Sequence, residues 1–102
     1  MVDVAKVRRE MMRWNIILTL NNARPIGAAE ELILSVVQAI SPDATPVEVR
    51  RELDYLEDRE LVKIHREPTG HWIAELSRHG VDIAEYTIEC DPGIARPAKY
   101  WG

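Results

Sequence analysis

Thr45-Pro46-Val47-Glu48, running on into Val49-Arg50-Arg51-Glu52-Leu53-Asp54-Tyr55-Leu56-Glu57-Asp58-Arg59, is the stretch on which the fold turns. A hydroxyl residue able to cap, a proline in the first helical position and a glutamate three residues after the cap make a capping box. Each side chain satisfies a backbone N–H that the first helical turn leaves without a partner. The spacing predicts a helix from here to about residue 59. On a wheel of about 100° per residue, Leu53 and Leu56 fall beside Val49 and face a core, while Val47, Arg51, Asp54 and Tyr55 face outward.

Downstream, Leu61-Val62-Lys63-Ile64-His65-Arg66 and His71-Trp72-Ile73-Ala74-Glu75-Leu76 are short β-patterned runs separated by Glu67-Pro68-Thr69-Gly70. They predict a hairpin, with Val62 and Ile64 on one face and Trp72, Ala74 and Leu76 toward the core. Ser77 caps a short helix over about 78–85, and Pro92, Gly93 and Pro97 disfavour regular structure after it. Upstream, residues 28–40 read as a helix whose buried side carries Leu32, Val36, Val37 and Ile40, with Glu30 and Glu31 in the first turn, where carboxylates suit the helix dipole. A longer helix over 3–21 repeats Val4, Val7, Met11, Trp14 and Leu18 at three- and four-residue steps. Met12, Ile16, Ile17 and Leu20 widen its apolar arc beyond one stripe. Either this helix lies centrally in the domain or one face packs on another copy of the chain.

The order helix, helix, capped helix, hairpin, short helix is similar to the winged helix-turn-helix family. Residues 49–62 resemble that family's third helix running into the first wing strand, and Leu76-Ser77-Arg78-His79-Gly80 resembles its hairpin exit. The resemblance implies a mainly α fold with a small β-hairpin: a three-helix core, a two-stranded wing, a short C-terminal helix and an extended tail. The domain is expected over 1–86 and the tail over 87–102. Gly80-Val81-Asp82-Ile83-Ala84-Glu85-Tyr86-Thr87 and Pro92-Gly93-Ile94-Ala95-Arg96-Pro97 are further similar to small winged-helix proteins of Mu-like phages and prophages. That likeness implies a phage or prophage origin and a regulatory, DNA-binding role, and supplies no mechanism.

In a winged helix the third helix enters the major groove and the wing touches the backbone, so the resemblance points to Arg50, Arg51 and Tyr55 on the helix and Lys63, Arg66 and His71 on the wing as DNA contacts. Charge opposes this. Residues 45–60 hold three basic and six acidic residues, a balance of −3, and Asp54 and Asp58 share the face of Arg51. Pairing of Arg50 and Arg51 with neighbouring carboxylates is the plain structural alternative. Residues 1–24 hold five basic against two acidic, a balance of +3, so Arg8, Arg9 and Arg13, doubled in a dimer, are a second source of positive charge. The competing function is a winged-helix module that contacts protein through the acidic third helix and an aromatic tail.

At 102 residues the chain has room for one core. With 46% hydrophobic and 29% charged residues it has the composition of a folded domain, not a disordered one. No apolar run approaches a membrane span. One cysteine, Cys90, and the absence of a signal-like start imply a cytoplasmic protein. His65, His71, His79 and Cys90 match no zinc spacing, and no nucleophile or phosphate-binding motif is present, so neither metal, cofactor nor enzymatic activity is expected. Met11, Trp14 and Leu18, with Tyr100 and Trp101 near the C-terminus, are the candidate contacts of a homodimer, the two terminal aromatics also serving as a candidate protein-binding motif.

Overall fold

The computed structural model describes residues 1–99. Its elements are α1 (Val4–Asn22), β1 (Ala28–Ala29), α2 (Glu30–Ile40), α3 (Pro46–Asp58), β2 (Val62–Arg66), β3 (Trp72–Leu76) and α4 (Arg78–Ala84). The predicted caps are in place. Glu48 donates its N–H to Thr45 Oγ1 at 3.2 Å while Thr45 N–H reaches Glu48 Oε1 at 3.3 Å. Ser77 Oγ accepts from Gly80 N–H at 3.0 Å and donates to the Glu60 carbonyl at 2.7 Å, so one hydroxyl starts α4 and ties it to the end of α3. Gly80 must be small, because a Cβ there would run into the Leu61 carbonyl oxygen.

The hairpin pairs Val62 with Leu76, Ile64 with Ala74 and Arg66 with Trp72, in the alternation the sequence predicts. The sheet nevertheless has three strands, in the order β1-β3-β2. Ala28 and Ala29, expected as the first turn of a helix, pair with Ala74 and Ile73 instead, and the helix starts at Glu30. The core gathers Ile16, Ile17 and Leu20 of α1, Ile33 and Val37 of α2, Val49, Leu53 and Leu56 of α3, and Leu61, Ala74 and Ile83. α1 therefore does lie centrally.

The buried side of α2 differs from the expectation. Ile33 and Val37 face inward, whereas Leu32, Val36 and Ile40 are exposed. Seven of its eleven residues are apolar, so periodicity could not choose between two apolar faces, and docking of Glu30 against the hairpin fixes the rotation. Beyond α4 the chain is irregular but packed: Ile88, Cys90 and Ile94 lie against the core, Ala95 N–H donates to the Glu10 carbonyl, and Arg96 donates to the carbonyls of Ile83 and Ile88. Among the described residues no helix is long and apolar enough to cross a membrane.

Candidate nucleic-acid interface

α3 and the hairpin form one surface, and most of its cations are already occupied. Arg50 donates from Nε and Nη2 to the two carboxylate oxygens of Glu30 at 2.8 and 2.7 Å, and from Nη2 to the Gly70 carbonyl at the hairpin turn at 2.7 Å. Glu30 also accepts the Trp72 N–H at 2.6 Å. One carboxylate thus joins α2, α3 and β3. The Arg50 guanidinium, hydrogen-bonded to it, holds the Glu30 carboxyl below the usual glutamate range against the opposing effect of burial.

Arg66 donates to Glu57 at 3.0 and 3.2 Å and to Asp54 at 2.8 Å, binding the hairpin to the outer turn of α3. It lowers the Glu57 carboxyl in turn. Both guanidiniums, of Arg50 and of Arg66, lie 4.4 Å from the Trp72 ring centroid, a cation–π arrangement that fixes the indole between helix and hairpin. His71 Nε2 stands 3.2 Å from Glu31 Oε2.

Tyr55 departs from the outward position read from the helical wheel. It is half-buried, with Arg13 3.5 Å and Arg59 4.6 Å from its ring centroid, and its hydroxyl leaves no room for a Cβ at Gly93, whose φ is +100°. Arg13 belongs to this cluster through a 2.8 Å bond to Glu52, itself 2% exposed, and a 2.9 Å bond to the Gly93 carbonyl. Arg8 is held by Glu48 and Asp43. Two of the three α1 arginines proposed as a reserve of positive charge are therefore internally compensated.

Arg51 and Lys63 are different. Both side chains are exposed, and among the described residues neither makes a hydrogen bond, an ion pair or a ring contact. Of the six candidate DNA contacts, these two are open, and the other four are engaged within the chain. The wheel sees only a residue's own helix, whereas Glu30 and Arg13 are brought to Arg50 and Tyr55 by packing across 20 and 42 positions. The acidic excess of residues 45–60 was the available signal: pairing was expected for Arg50 and Arg51, whereas Asp54 and Glu57 of that segment hold Arg66 instead and Arg50 turns to Glu30.

The candidate subunit contacts also divide. Met11 and Leu18 are exposed. Trp14 lies inside its own chain, 8% exposed and edge-on to Tyr86 with centroids 6.1 Å apart. Tyr100 and Trp101 lie outside the described residues. Among the described residues no three His, Cys, Asp or Glu side chains come together to hold a metal ion. Burial pushes the Cys90 thiol up, away from nucleophilic activation.

No protein-family model matches the sequence, and no curated protein matches it. Among solved structures the chain is similar to a protein of Ralstonia eutropha JMP134 to which DNA binding is provisionally ascribed. The TM-score is 0.64 at 20% identity, over 76% of this chain and 95% of that one. It is also similar to MepR of S. aureus, solved in complex with DNA, with a TM-score of 0.63 at 16% identity over 81% of this chain and 67% of that one. At these identities the likeness is one of architecture, and the architecture is the winged helix: a mainly helical domain in which α3 leads directly into the β2–β3 hairpin.

Proposed function

We propose that this chain is a winged-helix DNA-binding protein acting as a transcriptional regulator, in which Arg51 reads base edges from α3 and Lys63 contacts the backbone from the hairpin. The observation that carries the reading is that these two cations are exposed and unengaged among the described residues, so a nucleic acid can take them without displacing a carboxylate. Arg50 and Arg66 hold the hairpin on the body and present the readers. The likeness of the final third to proteins of Mu-like phages is in keeping with a phage or prophage regulator.

Fluorescence anisotropy with a mixed-sequence duplex at low salt tests this. Binding is expected, weakened by Arg51→Ala with Lys63→Ala, and the slope of log affinity against log salt falls by about 0.9 for the phosphate contact that Lys63→Ala removes. Arg50→Ala is expected to act on thermal stability instead. No binding at low salt, or binding untouched by the double substitution, rejects the assignment.

A second reading has its own observation behind it. Asp54 and Asp58 are exposed one and two turns along α3 from Arg51, and Arg50 and Arg66 are neutralised. Such a surface suits a protein-interaction module with a basic partner, and absence of low-salt DNA binding favours it.

A further inference from the structure

We infer that the apolar strip along α1 and α2 is the contact surface for a second copy of this chain, joined about a two-fold axis. Leu32, Val36 and Ile40 stand out from α2 at four-residue spacing, 53%, 37% and 54% exposed, with Leu18 of α1 beside them. The hollow they line continues into one lined by Val7 and Met11, the two sharing Asn15 and Ile40. Side chains of this kind left in water are unfavourable, and a strip this continuous marks a contact.

Three features select a second copy as the occupant. The hollow around Leu18, Leu32 and Val36 is lined by no charged residue among those described, so a charged partner finds nothing to pair with. At the axis of a two-fold contact a residue meets its own equivalent, which a neutral centre tolerates and a charged one does not. A row at four-residue spacing is also the ridge that interlocks with an identical ridge at a crossing of about −50°. Size agrees. The strip follows α1 for about 28 Å and α2 for about 16 Å at 1.5 Å per residue, and two helices side by side, each about 8–10 Å across, make it roughly 400 Å² in outline. That is the apolar centre of an interface of about 800 Å² per partner once a polar rim is added.

The inference stands apart from the DNA reading, because Arg51 and Lys63 do not line the strip. Sedimentation equilibrium across the micromolar range is expected to give twice the 11.7 kDa chain mass. Leu32→Glu with Val36→Glu is expected to halve it while the circular dichroism is retained. Leu32→Arg with Val36→Arg behaves the same alone, and mixing the acidic and basic variants restores the double mass. Removal of residues 100–102 leaves the dimer intact. A monomeric wild-type chain overturns the inference, as does a monomer that dimerises only when residues 100–102 are removed, which would make Tyr100 and Trp101 the strip's cover. So does an acidic variant that still dimerises, or a mixed pair that stays apart.

Discussion

The surface of α3 and the hairpin and the surface of α1 and α2 satisfy their side chains in opposite ways. On the first, carboxylates from α2 and α3 meet arginines from α3 and β2, with Trp72 between two guanidiniums. On the second, aliphatic side chains stand in water with no charge among them in the hollow beside α2. The contrast shows that positive residues in a helix of this fold are not in themselves a reading surface. What counts is which of them the rest of the chain leaves free.

The strongest way to break the comparison is at its base, where Glu52 and Arg13 pair out of solvent beneath α3. Removing one partner strands the other charge. Glu52→Ala is expected to lose about 3–5 kcal/mol in urea unfolding. A loss no larger than that of an exposed ion pair would mean the pair is solvated.

Next in size is Ile33→Ala, which empties a fully buried site and is expected to lose about 2–5 kcal/mol. Val47→Ala, at an equally aliphatic but 67% exposed position on α3, should change stability by no more than about 0.5 kcal/mol. Similar losses at the two positions would contradict the assigned rotations of α2 and α3.

Smaller again is Glu30→Ala, which removes the acceptor of two Arg50 bonds and of the Trp72 N–H and is expected to lose about 1.5–3 kcal/mol near neutral pH. The effect depends on pH with a definite sign. Arg50 lowers the folded-state value of Glu30, as Arg8 lowers that of Glu48 and Arg66 that of Glu57. Groups lowered on folding stabilise fully above their ordinary value, and that contribution is lost as pH falls through the folded one. Wild type and Glu30→Ala should therefore converge in stability on the acid side of the glutamate range. Parallel curves down to strong acid would remove Glu30 from the link.

Much of the fold was legible because local rules and tertiary packing agree. Thr45, Pro46 and Glu48 form the box their types announce, Ser77 caps α4, and the alternation of Val62, Ile64, Ala74 and Leu76 gives the register. Local rules were silent at Ala28 and Ala29, where two small residues with no strand propensity pair only because β3 lies beside them. They were ambiguous on α2, which is apolar on both sides. The candidate site was less legible. Arg50, Arg51 and Arg66 look alike in one dimension, and Glu30, 20 positions before Arg50, is brought to it by packing. Trp14 could be read as core or interface, and only Tyr86 meeting it from beyond α4 decides for the core.

The placement of β2 at the outer side of the sheet has a consequence for how copies of this protein meet. A row of N–H and C=O groups faces outward along that strand with no further strand beside it among the described residues, a template on which another chain could polymerise. Five residues is a short template, and Lys63 sets an uncompensated charge on it. Two such borders approaching each other would bring lysine toward lysine before any ladder formed, so open-ended growth of the sheet is discouraged.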